Sequence, residues 1–153
     1  MKSFRILVFL DLALTLTPAL LAADFGIRGG RYNDLDEEFV GAEMVFDIGA
    51  LNINPNLEYS LAEDVTAGSA NLDVTFDIGN FSRLTPYVGA GVGLFYLDAD
   101  AGDNSTDLLG NLIGGVQFEL DFLKPYAQVK YFRQLDDEND GGDDLAFTIG
   151  LRF

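Results

Sequence analysis

The sequence predicts an all-β chain, an eight-stranded antiparallel barrel wound up and down. Three observations carry that expectation. Residues 145–153, Leu-Ala-Phe-Thr-Ile-Gly-Leu-Arg-Phe, alternate strictly between large apolar and small or polar side chains. Period two marks a strand with one apolar and one polar face. Seven earlier stretches show the same alternation, separated by polar or glycine-containing connections. The chain stops on Phe153 at the tip of such a strand, and pairing it with the first strand would leave no free edge.

Strand one is expected at Asp24 to Tyr32, with Phe25, Ile27 and Gly29 on one face and Gly26, Arg28 and Gly30 on the other. Strand two, Phe39 to Ile48, sets Val40, Ala42, Met44, Phe46 and Ile48 against Glu43 and Asp47. Gly49-Ala50 reverses the chain. Strand three, Leu51 to Leu61, alternates most cleanly, although Pro55 cannot donate to a ladder and predicts a bulge or local break. Strand four sets Ala70, Leu72, Val74, Phe76 and Ile78 against Asn71, Asp73, Thr75 and Asp77.

Strand five, Pro86 to Leu97, carries Val88, Ala90, Val92, Leu94 and Tyr96 opposite Gly89, Gly91 and Gly93. Those glycines make room for large neighbours such as Tyr126 and let the strand curve. They sit within a strand, so they lack the helix that a phosphate-cradling loop requires. Strand six, Leu108 to Phe122, sets Leu112, Val116, Phe118, Leu120 and Phe122 against Asn111, Gln117, Glu119 and Asp121. Strand seven, Tyr126 to Gln134, sets Ala127, Val129 and Tyr131 against Gln128 and Lys130. Residues 145–153 close the set. Connections after strands one, three, five and seven read as mostly longer, those after two, four and six as mostly shorter.

Ahead of the strands, residues 1–23 have the build of a cleavable export signal. Lys2 and Arg5 precede an apolar run from Ile6 to Leu16, Pro18 breaks it, and Ala19, Ala22 and Ala23 follow. Asp11 interrupts the run. A retained anchor is the alternative, but the run is shorter than the ~20 residues of a spanning helix. The expected division is a signal peptide at 1–23 and a barrel at 24–153.

Composition narrows the function. The chain carries 25 acidic against 9 basic residues, a net charge of −16, which disfavours nucleic acid as a partner. The absence of Cys removes disulfides, thiolate metal sites and a lipidated cysteine. The absence of His removes the commonest general base. Ser60, Ser69, Ser82 and Ser105 show no plausible base partner in the sequence, so no enzyme is expected.

Polarity decides between two barrels. A soluble, ligand-binding periplasmic barrel would turn its apolar faces inward; a membrane barrel turns them to lipid. The apolar faces are nearly free of charge, and their aromatics sort by height. Tyr59, Tyr96, Tyr131 and Phe147 fall toward one end, and Phe46, Phe76, Phe118, Phe122 and Phe153 toward the other, as two interfacial girdles would. The membrane reading is favoured.

On that reading Arg28, Glu43, Asp47, Glu58, Asp73, Asp77, Glu119, Asp121, Lys124, Lys130 and Arg152 point into the barrel. Acids line one wall and bases the other. A barrel of eight strands is filled by its own side chains, so cross-barrel ion pairs should plug it. A narrow ion path is the alternative, because the acids outnumber the bases. Outside, Asp136, Glu138 and Asp140 match the opening of a calcium loop, but Phe147 stands where its twelfth-position Glu belongs, so this is not an EF-hand. Asp98, Asp100 and Asp103 form a second cluster, with Asp107. Solvated loops are expected, with weak Ca²⁺ or Mg²⁺ binding at a lipopolysaccharide surface as the alternative.

Thr85-Pro86-Tyr87-Val88-Gly89-Ala90-Gly91-Val92-Gly93, the turn Leu123-Lys124-Pro125-Tyr126 and the terminal Gly150-Leu151-Arg152-Phe153 carry a family resemblance. The chain resembles the small outer-membrane β-barrels of the OmpA transmembrane-domain and OmpX type. The resemblance covers essentially all of 24–153. It implies a monomer in the Gram-negative outer membrane, with lipid and lipopolysaccharide around it. It also implies that Leu151 and Phe153 are read by the barrel assembly machinery. Activity is poorly specified: family members are variously structural, adhesive or resistance-related. Members that act on lipid A use His, which this chain lacks.

Overall fold

The computed structural model describes residues 23–34, 36–61, 65–99, 104–135 and 142–153. Eight strands run in chain order: β1 (Ala23–Tyr32), β2 (Glu38–Ile48), β3 (Leu51–Ser60), β4 (Val65–Asp77), β5 (Leu84–Ala99), β6 (Asn104–Phe118), β7 (Lys124–Gln134) and β8 (Asp143–Arg152). Each pairs antiparallel with its neighbours, and β8 returns to β1 to close the barrel. The seam runs from Gly26 opposite Arg152 to Tyr32 opposite Ala146. Beyond it, Phe25 and Phe153 exchange backbone hydrogen bonds of 3.0 and 2.8 Å. Closure leaves no unpaired strand edge, the condition for crossing a hydrocarbon layer.

Three tight turns gather at one end of the barrel, here called the turn end. Gly49, Ser82 and Asp121 adopt positive φ of 75°, 66° and 51°. Each is the first residue of a two-residue reversal: Gly49-Ala50, Ser82-Arg83 and Asp121-Phe122. Bridges Phe81–Leu84 and Leu120–Leu123 flank the last two. A left-handed first position is the arrangement of a type II′ hairpin turn, whose twist matches that of the strands.

Two sequence expectations change, the bounds of strand six and the relative lengths of the connections. Strand six lies at 104–118 and not 108–122, so Glu119 leaves the ladder and Asp121 becomes a turn residue. The connections 61–64 and 100–103 are no longer than 78–83, because β4, β5 and β6 extend into stretches expected to be loop. Val65 pairs with Ala99, Thr66 with Asp98, and Asp98 with Asn104, so the ladder satisfies backbone groups that a loop would leave to water. Around Pro55 the expected local break forms, without a bulge. The β2–β3 ladder lapses between Glu43–Asn56 and Phe46–Ile53 and resumes in the same register, as the missing N–H dictates. β1 opens at Ala23, opposite Phe46, one residue ahead of the expected Asp24 and at the last position of the expected export segment. The rest of that segment, 1–22, lies outside the described residues.

The apolar faces point outward. Ile27, Leu57, Leu112 and Ile149 are 60 to 71% exposed. Tyr59, Tyr96 and Phe147 lie outside toward the loop end, and Phe76, Phe118, Phe122 and Phe153 outside toward the turn end. Polar side chains fill the lumen: Asn54, Asn56, Ser69, Asn71, Thr75, Asn111, Gln128 and Thr148 are all buried. This is the polarity of a membrane barrel and the reverse of a soluble one.

Candidate functional site

The lumen is where charge and burial coincide, and strand alternation alone places its groups. Arg28 enters from β1, Glu43 from β2, Glu58 from β3, Asp73 from β4, Lys130 from β7 and Arg152 from β8; all six are buried. Arg28 lies 3.0 Å from Glu58 and 3.6 Å from Glu43. Lys130 reaches across the barrel to Asp73 at 2.8 Å and stands 3.9 Å from Glu58. Arg152 donates from Nε to Glu43 at 3.0 Å and from Nη1 to Gln117 at 2.7 Å. Three cations thus face three anions at mid-barrel. Buried charges persist where such partners and further hydrogen bonds surround them.

Amides and hydroxyls supply those further bonds. Asn54 donates to Glu43 at 2.6 Å. Asn56 and Asn111 donate to Asp73 at 2.9 and 3.1 Å. Tyr32 and Ser69 donate to Glu58 at 2.9 and 3.2 Å. The result is one lattice tied to β1, β2, β3, β4, β6, β7 and β8. Tyr87 on β5 donates instead to Gln128 at 3.2 Å and meets the lattice only where the Arg152 guanidinium stands 5.8 Å from its ring centroid.

The remaining expected interior charges stand at the turn end. Asp47, Asp77, Glu119 and Lys124 line a cavity of about 50 Å³ with Asp24 and Arg152. Asp77 accepts a bond from Asn52 at 3.0 Å, and Lys124 pairs with Asp24. Asp47 and Glu119 are exposed at this mouth, and Asp121 is exposed in its turn, so none of the three belongs to the buried lattice. The expected excess of acid over base therefore sits at the mouth, where water reaches it, and not in mid-barrel.

Three further features escape the charge pattern. Tyr32 and Phe39 stack at 4.7 Å, with Phe132 edge-on to Tyr32 at 5.6 Å and Ala146 buried beside them, giving the loop end of the lumen an apolar stopper. Phe39 shares the parity of Glu43, and Tyr32 that of Arg28; that signal was present in the sequence. Next, the Arg152 guanidinium lies 4.1 Å from the centroid of the Tyr126 ring and 5.8 Å from that of Tyr87. Finally, Tyr126 lies against Gly150 and Tyr87 against Gly115. Gly89, Gly91 and Gly93 instead make room for Thr75, Asp73 and Asn71, so Tyr126 is not the neighbour they accommodate.

The proposed cation residues Asp100, Asp103, Asp136, Glu138 and Asp140 lie outside the described residues, as does the side chain of Asp98. Asp107 accepts a bond from Gln134 at 3.2 Å. Ser60 donates to Glu37 at 2.8 Å near the loop end, a carboxylate partner that spacing could not reveal.

No family model and no curated protein matches the chain. Solved structures do. Neisserial surface protein A superposes with a TM-score of 0.71 at 15% identity, covering 85% of this chain and 94% of that one. The N-terminal β-barrel domain of Pseudomonas aeruginosa OprF gives 0.67 at 17% identity, covering 86% and 96%. A de novo designed transmembrane β-barrel gives 0.53 at 13% identity, covering 86% and 94%. At these identities the likeness is one of fold, and it matches the inside-out polarity found here. The chain has the fold of the small eight-stranded transmembrane β-barrels of outer membranes.

Proposed function

We propose that this chain is a non-enzymatic protein of the Gram-negative outer membrane, a closed plug that supports the envelope and displays acidic loops to the exterior. One observation carries the reading: the charge-balanced lattice of Arg28, Lys130 and Arg152 with Glu43, Glu58 and Asp73 fills the middle of the lumen. An ion crossing there would have to displace bonded, buried partners, and breaking a buried pair costs about 3–5 kcal/mol. The apolar stopper at the loop end adds a second barrier. The role is structural or surface-interacting, the barrel acts as a monomer surrounded by lipid and lipopolysaccharide, and the loops take up Ca²⁺ or Mg²⁺ weakly at most.

Conductance tests the plug. The purified barrel in a planar bilayer at 1 M KCl should give no resolved single-channel steps. Regular steps that vanish on heat denaturation would overturn it in favour of a permeability role. Location is tested separately: the mature protein should fractionate with the outer membrane and migrate differently in SDS gels before and after boiling.

A further inference from the structure

The three turns at the turn end are not alike. The β4–β5 connection holds Ile78 and Phe81, the β6–β7 connection holds Leu120 and Phe122, and these four side chains are 45 to 76% exposed. Beyond the β2–β3 ladder stand only Gly49 and Ala50. β5 and β6 are neighbours, so the two apolar connections lie side by side. The Glu119 N–H donates across them to the Arg83 carbonyl at 2.8 Å, and Leu84 pairs with Phe118 just inside the ladder. Val116, Phe118, Leu120 and Phe122 keep one parity, although β6 ends at Phe118. The apolar wall therefore runs on from the strand into the turn.

We propose that these paired turns are a phospholipid-binding surface. Phe81 and Phe122 enter the acyl chains of the turn-side leaflet, Arg83 meets the headgroup phosphates, and the Gly49-Ala50 turn stands in water. Continuity with the lipid-facing wall is the first ground for choosing lipid. Length is the second. A spanning strand needs about 9–11 residues. On β7, outward Tyr131 and the exposed Arg133 above it mark the loop-end limit of the apolar wall, as an aromatic and a cation do at a membrane interface. Tyr131 pairs with Leu112 of β6. A spanning length counted from Leu112 leads to Leu120 and Phe122, past the last ladder residue. On β2 the outward apolar run from Val40 to Ile48 reaches that length within the strand. The nearby charges suit a headgroup level: Glu119 lines the lumen mouth, Lys124 pairs with Asp24, and Arg83 and Asp121 are exposed at the tips. Only the name of the leaflet, the periplasmic one, rests on the outer-membrane reading above.

The chain has no Cys, so single nitroxide labels can be attached to the full mature barrel in vesicles of phosphatidylcholine and phosphatidylglycerol. Ala50→Cys, Ser82→Cys and Asp121→Cys place one label at each turn tip and leave Phe81, Arg83 and Phe122 intact. Leu112→Cys, outward at mid-wall, gives the hydrocarbon reference. Power saturation compares collisions with oxygen, which concentrates in hydrocarbon, and with a water-soluble nickel chelate. The Ser82 and Asp121 positions should show an oxygen-to-nickel ratio several-fold above that of Ala50. Adding Phe81→Ser and Phe122→Ser should bring both down to the Ala50 ratio. Heat-modifiable gel mobility reports whether each variant folds. Equal ratios at the three tips, or ratios that folded Phe81→Ser/Phe122→Ser leaves unmoved, would overturn the surface. Spin–spin broadening at Ser82 that grows with the protein-to-lipid ratio would overturn lipid as the occupant in favour of a second copy. Vesicles impose no cellular address, so a barrel that passes here but fractionates elsewhere would fail the location reading alone.

Discussion

Arg152 and Glu43 join the last strand to the second across the closing seam: the Arg152 Nε donates to one Glu43 oxygen at 3.0 Å and Nη2 to the other at 3.3 Å. Both side chains are shielded from solvent, 8% and 0% exposed. Glu43 also accepts from Asn54 and lies 3.6 Å from Arg28, so one carboxylate ties β1, β2, β3 and β8 together.

The two halves of that pair should be coupled, so that removing both costs less than the sum of removing each. Arg152→Met leaves Glu43 buried with less compensation and should destabilise the barrel by about 3–5 kcal/mol. Glu43→Gln should cost a similar amount. The double substitution should cost clearly less than the two single values added, because no buried charge of this pair is then left alone. Urea unfolding in lipid vesicles, followed by tyrosine fluorescence, gives the three values. Simple additivity would mean that the two groups are not coupled.

Much of this lattice was legible in the sequence, since strict alternation assigns Arg28, Glu43, Glu58, Asp73, Lys130 and Arg152 to one side of the sheet. What alternation cannot supply is height along the axis. Asp47, Asp77 and Glu119 share the inward parity, yet strand length sets them at the mouth. Asp121 was lost to a turn because β6 ends at Phe118, four residues before the alternating pattern does. Parity likewise turns Tyr32, Phe39 and Phe132 inward, but only the register brings the three rings to one height as an apolar stopper.

The glycine facing Tyr126 should be sensitive to a single methyl group. A Cβ at Gly150 would overlap the Tyr126 ring. Gly150→Ala should therefore cost about 1–3 kcal/mol through overpacking. Adding Tyr126→Leu, which removes the ring, should recover part of that loss relative to Tyr126→Leu alone. A double-mutant cycle in urea decides it, and a Gly150→Ala barrel as stable as wild type would place the ring elsewhere.

The turns predict opposite effects for two mirror-image substitutions. Ser82 holds φ at 66°, a region L-residues occupy at a cost and glycine does not. Ser82→Gly should stabilise the barrel by about 0.5 kcal/mol, after the added freedom of the unfolded glycine is counted. Gly49 holds φ at 75° with open space around it, so Gly49→Ala should lose about 1 kcal/mol by backbone strain alone. Equilibrium unfolding of the two variants measures both signs, and equal signs would contradict the turn geometry.

Phe153 separates assembly from stability. Its backbone completes the seam by exchanging hydrogen bonds with Phe25, while its ring projects from the barrel, 55% exposed. Phe153→Ala keeps the backbone pairing and removes only an outward aromatic. In lipid vesicles the purified variant should refold to nearly wild-type stability, losing at most about 1 kcal/mol of interfacial contact, since so exposed a ring contributes little to packing. We propose that the assembly machinery reads the Phe153 side chain, and in cells the expectation then differs, because that recognition acts before the barrel exists. The heat-modifiable fraction of Phe153→Ala in the outer membrane should fall several-fold, with unfolded protein accumulating in the periplasm. Leu151→Ala, whose residue is outward and two positions earlier, should show the same split. Equal losses in vesicles and in cells would make both side chains ordinary parts of the wall, and normal assembly of both variants would remove them from the signal.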